Sequence, residues 1–270
     1  VTTTTAPHPL DVACAAQYTG ADPATVHADL LAIIEAAITN QPRSLQTTIG
    51  PSEIGNPCDR CLAHKLAGTP EAPEIGWLPF IGTCVHEQLE DIFLRHENTR
   101  ASLGMPGRFL AENRVTVGQI GQPITGSTDL FDTHTGTVID WKIVGTTTLK
   151  TVRAHGAKPQ YVKQAHLYGK GWEDAGYTVK SVLVVFLPRN DISLRRGQRW
   201  QEPYNRAVAE AALEHANNLH NAITAFGLPH VLASLPPHIT DDGEDSFSCR
   251  RYPDYAPIAA AHADPSNPFG

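Results

Sequence analysis

Long apolar runs are missing from this sequence. No stretch of 18 or more consecutive apolar residues occurs, so a membrane-spanning helix is not expected. The first residues, VTTTTAPHPLDVACAA, lack a basic segment followed by an apolar core. A secretory leader is therefore not expected, and a cytoplasmic location is the default. Cysteine is scarce: Cys14, Cys58, Cys61, Cys84 and Cys249 are the five in 270 residues, too few for a disulfide scaffold of this size. Net positive charge is missing as well. The formal charge is −7, so the chain as a whole does not advertise a polyanion-binding protein. No internal repeat is visible, and a repeat array is not expected.

One absence is local. From Trp141 to Trp172 there is no Asp or Glu, yet Lys142, Lys150, Arg153, Lys158, Lys163 and Lys170 fall there. A second basic group follows at Arg189, Arg195, Arg196 and Arg199, while acidic residues collect elsewhere, as in DDGED at 241–245. A cleft of one sign steers an anionic ligand whatever the net charge. A solvated basic face explains the same pattern equally well.

What is present reads as globular. Residues 1–20 look flexible, with four consecutive threonines. ADPATVHADLLAIIEAAITN is expected to be helical, with Asp22 as cap, Pro23 in the first turn and an apolar side of Leu30, Leu31, Ile33, Ile34 and Ile38. A loop rich in Pro and Gly follows, then helices around CDRCLAHKLAG and from about Leu78 through GTCVHEQLEDIFLRH. After Gly107 the pattern changes to three strands, RFLAENRVTVGQ, QPITGSTDLFDT and GTVIDWKIV, separated by turns. The spacing then predicts a helix over KPQYVKQAHLYGKGWEDAG, a buried strand at YTVKSVLVVFLP, and a last long helix over RWQEPYNRAVAEAALEHANNLHNAITAFG. The remainder, from 228, is expected to have little regular structure. The fold class expected is α/β: a mixed sheet, built from a β-meander and then a helix and a strand, flanked by helices. The divisions expected are 1–50 (flexible segment plus helix), 51–228 (the main domain) and 229–270 (an irregular tail packing on the core).

Two charges in an apolar strand demand an explanation. In TVIDWKIV, Asp140 and Lys142 are two residues apart and share a face, while Ile139, Trp141 and Ile143 point the other way into packing. Burying such charges is costly unless they are paired or bound. Asp129 lies in the preceding strand, where a short turn lets it meet Asp140. Two facing carboxylates repel unless a cation lies between them, and a hard divalent ion such as Mg2+ or Mn2+ suits oxygen ligands. Lys142 beside it can polarise a water or hold a phosphate. On the preceding helix His86 lies one turn after Gly82, which is expected to allow close approach of another backbone. On the following helix Gln164 and Tyr168 share a face.

This order, G-x3-H on a helix, G-x2-D on a strand, D-x-K flanked by apolar residues, and Q-x3-Y on a helix, resembles the PD-(D/E)XK nuclease superfamily, most of all its RecB-type and Cas4-like exonuclease branch, common in phages. The residues are Gly82 and His86, Gly126 and Asp129, Asp140 and Lys142, and Gln164 and Tyr168, over a span of roughly half the chain from Ser52 to Leu187. The resemblance implies a restriction-endonuclease-like core and Mg2+- or Mn2+-dependent hydrolysis of DNA phosphodiester bonds. It implies His86, Asp129, Asp140 and the Trp141 carbonyl as metal ligands and Lys142 as the residue that positions the attacking water. Gln164 and Tyr168 would orient Lys142 or touch the DNA backbone, with Glu112 in support. Lys150, Arg153, Lys158, Lys163 and Lys170 would form a DNA track. A homo-oligomer, or a recombinase or helicase partner, and a role in phage or mobile-element recombination, replication or repair follow from the same likeness.

Other readings stay open. A nuclease fold can serve as a non-catalytic DNA-binding or assembly module, and a structure-specific endonuclease shares the same site. A zinc protease is rejected, because in HEQLE Glu90 stands where a second His belongs. Cys58-x2-Cys61 with Cys249 resembles the iron–sulfur clamp of Cas4-like and AddB-like nucleases, but Tyr252 stands where a further cysteine would be. Ligation of a cluster by Cys58, Cys61, Cys84 and Cys249 and zinc with His64 are the alternatives to the preferred reading, buried free thiols.

Overall fold

A computed structural model describes residues 23–40, 48–72, 76–238, 240–241, 244–245 and 249–255. The expected flexible segment 1–20 and the Asp22 cap lie outside the described residues. Helix α1 (Pro23–Thr39) is followed by the single turn α2 (Pro51–Ile54), then α3 (Asp59–Leu66) and the long α4 (Trp77–Ser102). Among the described residues no helix is long and apolar enough to cross a membrane.

The meander is β1 (Phe109–Ile120), β2 (Gln122–Asp132) and β3 (Thr137–Val144), all antiparallel. The turn into β3 depends on Gly136. It holds φ +68°, and an added Cβ would lie 2.5 Å from the Thr178 carbonyl oxygen, so both conformation and space require glycine. From β3 the chain crosses over through α5 (Thr146–His155) and α6 (Pro159–Asp174) to β4 (Ser181–Pro188), which is parallel to β3, as a helical crossover requires. Strand β5 (Gln198–Pro203) closes the sheet, and the order is β1-β2-β3-β4-β5. Helices α7 (Arg206–Phe226) and α8 (Leu228–Ser234) follow. The fold is α/β, a mixed five-stranded sheet flanked by helices, as expected.

Three elements depart from the sequence reading. RWQEP does not open the last helix. Its burial alternates with period two and it pairs with β4, which puts Trp200 and Glu202 toward the protein. The helix starts only at Arg206, where Asn205 Oδ1 caps it by accepting from Ala207 N at 3.1 Å. Helix α5 was not expected, because its TTT opening has weak helix propensity. The region after 228 is less irregular than expected, with α8 and a 3-10 turn at Cys249–Arg251.

The main core lies on one face of the sheet. Phe131, Val138, Val182, Val184 and Phe186 meet Leu167 and Trp172 of α6 and, beyond them, Ala209, Leu213 and Ala216 of α7. Trp172 stacks on Phe131 with ring centres 4.5 Å apart and donates Nε1–H to Thr128 Oγ1 at 3.0 Å. Val138 and Val144 share this face with Asp140 and Lys142. The expectation for β3 is therefore reversed in emphasis: Ile139 and Trp141 look toward the thinner side, where Phe93 of α4 stacks on Trp141 above an open cavity of about 350 Å³. Asp140 is 3% exposed.

A second, smaller cluster joins the end of the described chain to α3. Cys58, Cys61, Cys249 and Tyr252 are buried together. Arg60 donates to the carbonyls of Leu232 and Pro236 and to Asp254. His64 stacks on Tyr252 with centres 4.6 Å apart, and Arg251 pairs with Glu71 at 2.8 Å.

Candidate active site

The site forms where β2 and β3 part. Their ladder ends at Leu130 and Ile139, and one step further the same register sets Asp129 opposite Asp140. Asp129 Oδ2 there accepts the Trp141 N–H at 2.6 Å, so a side chain replaces the backbone partner and is held at the opening. Asp129 Oδ1 lies 3.2 Å from His86 Nδ1 on α4. This hydrogen bond engages the Trp141 N–H and leaves its carbonyl as a separate group.

Glu112 completes this corner more firmly than its sequence position suggests. It sits in β1 between the pairs Ala111–Leu130 and Asn113–Thr128, at φ +50°. A left-handed glutamate inside a strand costs on the order of 1–3 kcal/mol and persists only where its surroundings impose it. The result is that ligand atoms of His86, Glu112 and Asp129 all lie within 4.8 Å of one another. Nothing in the local sequence signals a positive φ at this residue.

Beside that triad runs a chain of polar contacts from the sheet to α6. Lys142 Nζ lies 2.6 Å from Asp140 Oδ2 and donates to Gln164 Oε1 at 3.0 Å. Its ammonium also stands 5.1 Å from the centre of the Tyr161 ring, a cation–π contact that the sequence reading missed. Tyr161 is three residues before Gln164, on the same helix face. Tyr168, also buried, has its hydroxyl 3.0 Å from where a Cβ on Gly126 would lie, and Pro51 of α2 closes the same spot at 2.8 Å. The G-x2-D glycine thus serves close packing in the wall of the site. Gly82 does not: among the described residues nothing lies within 4 Å of a Cβ built there, so the expected close approach is absent.

The electrostatics favour a cation. Burial pushes the Asp140 carboxyl up to about 6, with Lys142 acting against the shift and Asp129 adding to it. His86 is raised above its ordinary value: burial opposes the shift, but the hydrogen bond and charge of Asp129 outweigh it. Burial and the charges of Asp140 and Asp129 also raise Tyr168, keeping it a neutral phenol. Three carboxylates and an imidazole at one opening suit a hard divalent ion. A positive charge there would return Asp140 toward ionisation and compete with the proton on His86.

The other assigned residues divide. Lys150, Arg153 and Lys158 are exposed, and Lys163 is half-buried. Lys170 is instead held by Asp174 at 2.5 Å, in a network where Arg206 also binds Asp174 and Glu173, so it contributes little unpaired charge to a track. Cys84 is not part of the sulfur cluster around Cys58, Cys61 and Cys249, because α4 carries it elsewhere. His64 is not either: its nitrogens go to Thr69 Oγ1 and Asp254 Oδ1.

No protein-family model and no curated sequence matches the chain significantly. Among solved structures it is similar to a protein titled SSO0001 (14% identity, TM-score 0.45, covering 80% of this chain and 97% of that one). It is similar to the exonuclease LHK-Exo in complex with dAMP (14%, 0.42, 70% and 93%); a second structure calls LHK-Exo an alkaline exonuclease from Laribacter hongkongensis. A phage-related exonuclease from Haemophilus somnus 129PT is also similar (12%, 0.39, 66% and 95%).

Proposed function

We propose that the chain is a metal-dependent deoxyribonuclease, an exonuclease that hydrolyses phosphodiester bonds of DNA. The observation that carries this reading is the meeting of His86, Glu112 and Asp129 within 4.8 Å, beside a buried Asp140 linked through Lys142 to Gln164. The motif order that resembles the PD-(D/E)XK superfamily supports it independently of the geometry.

His86, Asp129 and Asp140 would hold Mg2+ or Mn2+, with Glu112 and the Trp141 carbonyl as further oxygen ligands. Bound there, the ion would lower the pKa of a coordinated water and neutralise charge building on the phosphate. The protein groups do the positioning. Asp129 fixes the imidazole of His86 and the backbone of β3 together. Lys142, aimed by Gln164 and the Tyr161 ring, holds the attacking water or the phosphate oxygen in line and stabilises the pentacovalent oxyanion. Tyr168, kept protonated, is a hydrogen-bond donor to the phosphate. Exposed Lys150, Arg153 and Lys158, with Lys163, guide the DNA backbone. By the same resemblance the enzyme belongs in the cytoplasm, acting in phage or mobile-element recombination, replication or repair, as a homo-oligomer or beside a recombinase or helicase.

The test is incubation with end-labelled linear DNA and with covalently closed circular DNA, in Mg2+, in Mn2+ and in EDTA, alongside Asp140→Asn. Metal-dependent loss of the linear substrate alone, abolished in the variant while its circular dichroism is unchanged, is the expected result. Cutting of the circle would make the protein an endonuclease. DNA binding without cleavage of any substrate would favour the non-catalytic module.

A further inference from the structure

The sulfur cluster at α3 lies apart from the nuclease-type site and takes no part in it. Its members are more closely arranged than free thiols need to be. Cys61 Sγ is 3.3 Å from Cys249 Sγ. His238 Nδ1 is 3.4 Å from Cys58 Sγ and 3.6 Å from Cys61 Sγ. The four ligand atoms lie within 4.8 Å of one another, and the three cysteines are at most 2% exposed. His238 is no neighbour in sequence, standing 177 residues from Cys61.

We propose that Cys58, Cys61, Cys249 and His238 Nδ1 form a closed Cys3His site for one structural zinc ion. Tetrahedral zinc, with Zn–S about 2.3 Å and Zn–N about 2.05 Å, sets S···N edges of about 3.6 Å and S···S edges of about 3.8 Å. The two sulfur–nitrogen distances match, and the sulfur–sulfur distance is a little shorter than the tetrahedral edge. A disulfide needs about 2.05 Å between sulfurs and leaves His238 without a role. An iron–sulfur core of several atoms needs ligands spread further apart than these.

The surroundings supply what a zinc histidine requires. His238 Nε2–H donates to Asp254 Oδ1 at 3.0 Å, which fixes the tautomer and leaves the Nδ1 lone pair for the metal. Asp254 is itself anchored by Arg60 at 2.6 Å and His64 at 2.7 Å. All four positions are taken by protein and the site is buried, the signature of a structural rather than a catalytic zinc. The ion would cross-link α3 to the chain beyond α8. Because α2 lies just before Cys58 and its Pro51 packs at Gly126 beside Tyr168, the clamp would also hold one wall of the candidate active site.

The experiment measures metal content and so stands apart from any activity. The full chain, purified without added metal and passed through EDTA to strip loosely held divalent ions, is assayed for zinc, iron and acid-labile sulfide. The expected result is about one zinc per chain and no iron or sulfide. Protein produced with Co2+ should show the visible bands of tetrahedral cobalt together with sulfur-to-cobalt charge transfer. Cys249→Ser and His238→Ala should lose the metal, whereas His238→Cys and Cys84→Ser should keep it. If the loss variants fail to fold, the cobalt spectrum and the retention in His238→Cys still decide. Iron with sulfide, a cobalt spectrum without thiolate bands, a Cys61–Cys249 disulfide in the freshly isolated protein, or zinc unaffected in a folded Cys249→Ser would each overturn the proposal.

Discussion

The single ammonium of Lys142 touches Asp140, Gln164 and the Tyr161 ring at once. Lys142→Ala should lower turnover by about 10²–10³, the usual cost of a lost group that stabilises charge in the transition state, while the protein's affinity for Mn2+ by calorimetry stays close to wild type. Loss of metal affinity instead would make Lys142 part of the site's architecture. Protons and metal compete here. Asp140 is raised to about 6 and His86 is raised above its ordinary value, so as pH falls His86 takes up its proton first and Asp140 follows near 6, and at limiting Mg2+ activity should fall over that range as the cation is displaced. A tenfold increase in Mg2+ should move this acid limb down by up to about one pH unit if one proton competes and by about half a unit if two do, and a limb that does not move with metal would refute the competition. Much of this corner was legible in the sequence, because the period of a strand puts Asp140 and Lys142 on one face and the period of a helix aligns Gln164 with Tyr168. Glu112 was legible only as a supporting residue. Its carboxylate reaches the triad through a left-handed backbone, imposed by tertiary context and not by local residue pattern.

At the scale of elements, the site depends on how closely α6 lies on β1 and how α2 lies on β2. Gly171 sets the first distance: a Cβ there would be 2.7 Å from Val115 Cγ2 and 3.2 Å from the Thr116 carbonyl oxygen. Helix propensity alone favours alanine over glycine by roughly 1 kcal/mol, but overpacking costs about 1–3 kcal/mol. The backbone oxygen has less room to yield than a side-chain tip. Gly171→Ala is therefore expected to lower the urea midpoint, and a raised midpoint would show that α6 can lift off without strain. Gly136→Ala should be worse, because it adds a left-handed φ to a clash with the Thr178 oxygen. The order of strands and helices was readable because the meander has clear turns and the long helices have clear periods. Strand β5 was not, since six residues ending in Pro203 offer only three alternations before the Asn205 cap, and an edge strand is defined largely by the neighbour it finds. The thin α4 side of the sheet was misjudged for a similar reason: alternation tells which residues share a face, not which face receives the thicker layer.

Across the whole molecule the net charge of −7 should repel DNA, so any binding must come from local fields. The acid-free stretch from Trp141 to Trp172 provides one, and the structure sorts its members. Lys150, Arg153 and Lys158 are exposed on and after α5, whereas Lys170 is committed to Asp174. An acid four residues beyond a lysine on a helix favours such a pair, which the assignment of Lys170 to the track did not take into account. The distinction gives a measurement. Each phosphate neutralised by a cation releases counterions and adds about 0.9 to the magnitude of the slope of log K against log salt for duplex DNA. Lys150→Ala with Arg153→Ala should flatten that slope by up to about 1.8 and weaken binding similarly for all sequences, measured by anisotropy in Ca2+ or with Asp140→Asn so that no cleavage intervenes. Lys170→Ala should leave the slope unchanged and instead lower thermal stability slightly, because it breaks a network that also includes Arg206. If Lys170 changes the slope and the α5 pair does not, the DNA runs along α6 and the track proposed through α5 is wrong.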